Sequence, residues 1–279
     1  MFETALVALD LAPAEQPIID CLPELRRWGV QRIVLTHVIQ LGYMQGAALA
    51  HEQDYVDWLD QLAEPLRAAG LEVSISVRAG PAPADEILAE ADKKAADLIV
   101  IGSRGHNLLS RLFLGSTARE VLRRTTRPVL LQWIEPSAQG TQQPCAALST
   151  PLLRQPMLAT DLSEAAAGAE RVAIELASKA ERIDCLHVID ASSENPLSED
   201  TARAALTALL QRVDPAASRG EALLSRGRPS DEIAAQATRS DSSLIVLGKH
   251  GENALRAMLI GSTAAKVCEN AGRPVLLVP

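Results

Sequence analysis

The sequence predicts an α/β protein made of two tandem, doubly wound, parallel five-stranded sheets, and three observations carry that expectation. The chain repeats itself: Ile99 to Leu131 returns as Ile245 to Leu277 at a constant offset of 146. Short, continuously apolar runs alternate with helical patterns in each copy, as in parallel strands buried on both faces and joined by crossover helices. A glycine-spaced loop follows the fourth apolar run of both copies, and ligands of open α/β sheets bind beyond the carboxyl ends of the strands.

The repeat sets the domain organisation. Upstream, Asp85-Glu86-Ile87 recurs as Asp231-Glu232-Ile233, His37-Val38-Ile39 as His187-Val188-Ile189, and Asp10-Leu11 as Asp161-Leu162. A repeat this long is a whole domain, beyond the roughly 20–50 residues of solenoid units. The expected division is residues 1–135 for domain one, 136–153 for a linker rich in Ser, Gln, Thr and Pro, and 154–279 for domain two.

In domain one the first strand is the apolar run Ala5 to Leu9, followed by Asp10 and a loop containing Pro13. A helical stretch ends at Trp28-Gly29, and Arg32 to Ile39 is the second strand. Tyr55, Trp58, Leu59, Leu62 and Leu66 recur at helical spacing. The third strand alternates through Val73, Ile75 and Val77, and a helix is expected over about Ala84 to Ala95. Leu98 to Gly102 is the fourth strand. The last helix is Thr117 to Arg124, and Pro128 halts it before the fifth strand, Val129 to Trp133. Crossovers between parallel strands are right-handed, which fixes the winding.

Composition narrows the function. The 279 residues are 47% hydrophobic and 22% charged, enough for a buried core in each copy. The net charge of −8 argues against a general nucleic-acid or anionic-membrane binder. No apolar run approaches the roughly 18 residues of a membrane span, and Met1 to Asp10 holds Glu3 and Asp10 without a basic stretch. A cytoplasmic protein is expected. Cys21, Cys145, Cys185 and Cys268 show neither Cys-x-x-Cys nor Cys-His ligand spacing, which excludes a zinc finger.

The chemistry points to the glycine loops. Gly102-Ser-Arg-Gly105 is followed by nine residues and then Gly115-Ser116-Thr117, and Gly248-Lys-His-Gly251 is followed by nine and then Gly261-Ser262-Thr263. Glycine admits positive φ and lets backbone N–H groups approach an anion. A Gly-Ser-Thr helix start adds free N–H donors, a positive dipole end and hydroxyls, which together suit phosphate. A glycine-capped turn with an ordinary Ser cap is the alternative for either copy alone; retention of the pattern in both copies favours phosphate.

Gly-x2-Gly-x9-Gly-Ser after an apolar strand, an Asp ending strand one, a His-Val pair in strand two and a terminal Arg-Pro-Val-Leu-Leu strand together resemble the universal stress protein family. Both halves match from first strand to last. The resemblance implies a fold similar to other adenine-nucleotide-binding α/β proteins, and ATP binding with Mg2+ on the phosphates. It places Asp10 and Asp161 at the adenine and ribose, the backbone of Val38 and Val188 at adenine, and Gly102, Gly105, Gly115, Ser116 and Ala118 at ribose and phosphates. Gly248, Gly251, Gly261, Ser262 and Ala264 are their counterparts. Thr160-Asp161-Leu162-Ser163 keeps a hydroxyl that Asp10-Leu11-Ala12-Pro13 lacks. The resemblance also implies that the fifth strands form an interface, so the domains are expected to pack about an internal pseudo-two-fold axis; a homodimer of the whole chain is left open.

Other polar residues have plainer roles. Six arginines lie from Arg104 to Arg127 against the single acid Glu120. Arg104 and Arg111 could meet phosphate, whereas Arg123 and Arg124 complement the end of a helix. His37 and His187 sit in apolar strands and are expected to be packed and hydrogen-bonded. His106 and His250 are expected to be solvated beside the loops, and His51 to lie on a helix surface. No Gly-x4-Gly-Lys-Ser/Thr, Gly-x-Ser-x-Gly or Gly-x-Gly-x-x-Gly occurs in the required place. The resemblance implies ATP binding in stress regulation, and the missing catalytic motifs leave little turnover expected. A slow ATPase or self-phosphorylating protein, and a nucleotide-free interaction scaffold, are the alternatives.

Overall fold

A computed structural model describes residues 1–10, 15–41, 52–103, 114–136, 142–144, 151–190, 197–214, 220–251 and 260–279. The chain divides into two compact units, Met1–Leu148 and Ser149–Pro279. Each holds one five-stranded parallel sheet.

Domain one runs β1 (Thr4–Leu9), α1 (Glu15–Cys21), β2 (Arg32–Gln40), α2 (Glu52–Ala68), β3 (Glu72–Gly80), α3 (Pro83–Lys93), β4 (Leu98–Gly102), α4 (Ser116–Arg124) and β5 (Val129–Gln132). Its sheet has the order β3-β2-β1-β4-β5. The strand order reverses at β1, which pairs in parallel with both β2 and β4. Burial follows this order: Ala5, Leu6 and Val7 of the central strand are fully buried, while the edge strand β3 is mostly half-exposed. Apolar runs without alternation thus mark central strands, and alternation marks the edge.

The helices carry legible end signals. A 3-10 helix, Leu22–Trp28, extends α1 and stops at Gly29, whose φ is 110°; a Cβ there would lie 3.0 Å from the Phe2 carbonyl oxygen. Only glycine combines that conformation with so close a neighbour. α2 buries Leu59, Ala63 and Leu66, and its Tyr55 stacks on His37 at 4.8 Å with Trp58 edge-on at 5.8 Å. α3 starts with Pro83 and carries Asp85 and Glu86 in its first turn, as suits a positive dipole end. Beyond β5, β6 (Ile134–Pro136) and β7 (Gln142–Pro144) pair antiparallel; β6 begins inside the stretch expected as domain one, and β7 lies in the stretch expected as linker.

Domain two repeats the plan as β8 (Pro156–Ala159), α5 (Ala167–Ala177), β9 (Asp184–Ile189), α6 (Glu199–Val213), β10 (Ala222–Arg226), α7 (Pro229–Arg239), β11 (Leu244–Gly248), α8 (Ser262–Asn270) and β12 (Val275–Val278). Its sheet order is β10-β9-β8-β11-β12. β8, β11 and β12 are buried along their apolar residues, and β10 is the half-exposed edge. The order reverses at β8, which brings the carboxyl ends of β8, β9 and β11 together.

Candidate functional site

In domain two the strand ends open into a cavity of about 470 Å³. All seven of the domain-two residues expected from sequence line it: Asp161, Val188, Gly248, Gly251, Gly261, Ser262 and Ala264. They come from the ends of β8, β9 and β11 and the start of α8, segments far apart in the chain that the parallel winding brings to one edge. Leu186, Val188, Ile233 and Leu247 give the cavity an apolar lining, while Asp161, Ser163, Lys249, His250, Ser262 and Thr263 bring polar groups. This combination fits a ligand with a flat apolar part and an anionic part.

The glycines act by closeness and not by unusual backbone angles. Gly102, Gly115, Gly248, Gly251 and Gly261 are all outside the positive-φ set, and Gly261 has φ −61°; the left-handed conformation allowed for in the sequence reading is therefore not used. A Cβ on Gly251 would instead lie 2.6 Å from Asp161 Oδ2, and one on Gly261 would lie 3.2 Å from the Lys249 carbonyl oxygen. Glycine at 251 lets the strand-one carboxylate rest against the loop. Gly261 closes the other end, its N–H donating to the Lys249 carbonyl at 2.9 Å. As the N-cap of α8, Gly261 has no side chain to cover the helix start, so the first-turn N–H groups are available to an anion in the cavity.

Asp161 is held by its neighbours. Its Oδ1 accepts from the Ser163 backbone N–H at 3.1 Å and from Ser163 Oγ at 2.6 Å. Just before it, Thr160 Oγ1 accepts from the Leu162 N–H at 3.0 Å and donates to Glu170 Oε1 at 3.1 Å. The intervening Leu162 has φ 62°, a conformation that costs an L-residue energy and persists here between these bonds. The Thr-Asp-Leu-Ser hydroxyl is legible in the sequence, whereas Glu170 is not, because a carboxylate ten residues away on α5 gives no local signal.

Two loop residues change in significance. Lys249, the lysine of the Gly248-Lys-His-Gly251 loop, is 3% exposed. His250, expected to be solvated, is half-buried, and its Nδ1 is a buried atom with no hydrogen-bond partner among the described residues. Burial, helped by the neighbouring Lys249 charge, pulls the His250 pKa below its ordinary value. At neutral pH the ring is therefore uncharged.

In domain one Asp10 follows β1, Val38 lies in β2, Gly102 ends β4, and Gly115, Ser116 and Ala118 start α4. Register places these ends side by side, with Leu9 opposite His37 and Ala8 opposite Ile101. The loop is closed as in domain two: the Gly115 N–H donates to the carbonyl of Ser103 at 2.9 Å, while Ser103 Oγ accepts from the Ile134 N–H at 3.0 Å. Gly105, Arg104, Arg111, His106 and His51 lie outside the described residues. The arginines at the end of α4 are engaged with nearby acids: Arg123 with Glu120 at 2.7 Å, Arg124 with Asp85, and Arg127 with Asp92 at 2.6 Å.

Both strand histidines are structural, as read from sequence. His37 Nδ1 is 2.9 Å from the Leu9 carbonyl oxygen and His187 Nδ1 is 2.9 Å from that of Thr160. A carbonyl can only accept, so Nδ1 carries the proton in both rings. Cys21, Cys185 and Cys268 are buried thiols pushed up to about 12 by desolvation, which removes them as nucleophiles at neutral pH.

Comparison with known proteins agrees with this layout. The profile of the Universal stress protein family matches residues 1–131 and again 154–279. A universal stress protein of Mycolicibacterium smegmatis is 30% identical over 197 residues, 66% of this chain, and the match spans 62% of that protein's length. The crystal structure of a universal stress protein from Archaeoglobus fulgidus superposes with a TM-score of 0.75 at 22% identity, covering 99% of this chain and 97% of that one. A Pseudomonas aeruginosa structure described as a putative universal stress protein gives 0.71 at 18% identity, with 99% and 93% covered. The duplicated profile match, on a duplicated sheet with duplicated glycine loops, establishes that this chain belongs to the universal stress protein family and carries two of its domains in tandem.

Proposed function

We propose that each domain binds an adenine nucleotide, ATP in the first instance, and that the protein acts in the cytoplasm as a regulator through its bound state, with little or no turnover. The observation that carries this reading is the domain-two cavity, where the two closing glycines, the helix start and Asp161 meet beside an apolar lining of suitable size. Mg2+ fits the reading as a passenger of the ligand. No group of three or more His, Cys, Asp or Glu able to hold a metal is present among the described residues, and Mg2+ commonly takes most of its ligands from substrate phosphates and water.

Titration calorimetry tests the sites one at a time. The parent chain is expected to take two ATP, Gly261→Val or Gly115→Val one each, and the double variant none. A branched side chain at Gly261 would crowd the Lys249 carbonyl without demanding a forbidden φ, so circular dichroism of the variants should stay that of the parent. A double variant that binds like the parent would remove the glycine loops from the proposal.

The same reading has the domains pair through β5 and β12. Within its own domain each of these strands is bonded on one side only, to β4 and β11 respectively, and an apolar strand edge invites pairing. With a protease site placed between residues 140 and 150, the cleaved halves should stay together in gel filtration. Separation into two species would reject pairing.

A further inference from the structure

A second hollow of about 370 Å³ adjoins the nucleotide cavity of domain two. The two share a wall, Asp190, Pro229, Ser262 and Thr263, and the second adds Arg228, Ser230 and Lys266. Arg228 and Lys266 are both exposed, so they can be reached from solvent. Arg228 pairs loosely with Asp231 at 3.8 Å, with both side chains about two-thirds exposed; such a pair is readily exchanged for a better anion. Among the described residues that line the hollow, Asp190 is the one acid, against the two cations Arg228 and Lys266.

The internal repeat supplies the contrast. At the same offset of 146, Arg228, Ser230 and Lys266 correspond to Ala82, Ala84 and Glu120 of domain one. Both cations are absent there, and Glu120 brings a negative charge paired with Arg123. Ser116 and Thr117 meanwhile match Ser262 and Thr263. The loop hydroxyls are thus common to both copies, and the cations at positions 228 and 266 have no counterpart at positions 82 and 120.

We propose that this hollow is a second anion subsite, which receives an additional phosphoryl group of the nucleotide held in the adjoining cavity and makes domain two selective for polyphosphorylated ligands. The inference rests on the adenine-nucleotide reading. Arg228 supplies a planar fork suited to phosphate and Lys266 a mobile point charge. The added group is carried either on the 5′-phosphate chain or on the ribose.

The test uses the full chain and the double variant Arg228→Ala, Lys266→Glu, which installs the residues of domain one at two exposed positions. AMP, ADP and adenosine 3′,5′-bisphosphate are titrated into both proteins by calorimetry. At one of the two sites of the parent, ADP or the bisphosphate is expected to bind about tenfold or more tightly than AMP, the scale of one charged hydrogen-bonded contact. That advantage should vanish in the double variant while AMP affinity is kept. Preference for ADP places the group on the phosphate chain, and preference for the bisphosphate places it on the ribose. Equal affinities in the parent, or an advantage that survives the double variant, would overturn the subsite alone. A parent that binds none of the three would overturn the nucleotide reading and the subsite together.

Discussion

A single buried nitrogen sets the expected pH behaviour of domain two. His250 has a depressed pKa in the folded protein, from burial first and the Lys249 charge second. Between that value and the ordinary unfolded value near 6.5, the unfolded chain binds more protons than the folded one. Stability should therefore be intact above about pH 6.5 and fall as the pH drops through this window. Urea unfolding of parent and His250→Asn between about pH 5 and 7.5 checks this: the slope with pH should be shallower in the variant, and an unchanged slope would assign the effect elsewhere. At this scale the sequence told a good deal about glycines and little about burial. Gly251 and Gly261 could be picked from spacing because their function needs only the missing side chain. The burial of Lys249 and of the His250 ring is not legible, since nothing local announces that the strand ends on both sides will enclose them.

Helix ends show how the same geometry is met by different residues. α3 and α7 are each followed by a left-handed residue, Ala95 with φ 49° and Asp241 with φ 48°, where glycine is the usual choice. Ala95 is exposed, so Ala95→Gly should relieve strain and raise stability by about 0.5–1 kcal/mol, the left-handed penalty less the entropy of glycine. Denaturant midpoints at constant slope would register it. Asp241→Gly should gain nothing comparable, because the Asp241 carboxylate holds Arg154 at 2.7 Å and Arg273 at 3.1 Å, and the Arg273 hydrogen bond comes first in lowering its pKa. The strands were the most legible elements, since Ala5 to Leu9, Leu98 to Ile101 and Val129 to Leu131 are uninterrupted apolar runs. The 3-10 continuation of α1 was not legible: Pro23 lies at its start, and an apolar pattern of that length does not separate the two helix types.

Across the whole chain, duplication has preserved a frame and released its contents. Loop closure by Gly115 and Gly261, the strand order and the pattern of cavity-edge residues recur, whereas Ser103 gives way to the buried Lys249 and Ala82 to Arg228. Duplication was visible in the sequence because one offset, 146, holds from Asp85 to Leu131; the unequal chemistry of the two sites emerges only when distant positions are brought to one wall. ATP hydrolysis by the chain should stay below about 1 s⁻¹, the low end of ordinary enzymes, and a faster rate that Asp161→Asn abolishes would replace regulation with catalysis. The paired histidine bonds add a practical consequence. Each imidazole proton bonded to the Leu9 or Thr160 carbonyl is shut away from solvent, so it should give a narrow, far-downfield proton resonance. His37 lies against Tyr55 and Trp58, whose ring currents should set its signal apart from that of His187. Every molecule thus contains two native magnetic reporters, one at the carboxyl edge of each sheet, by which filling of either proposed site could be followed without attaching a label.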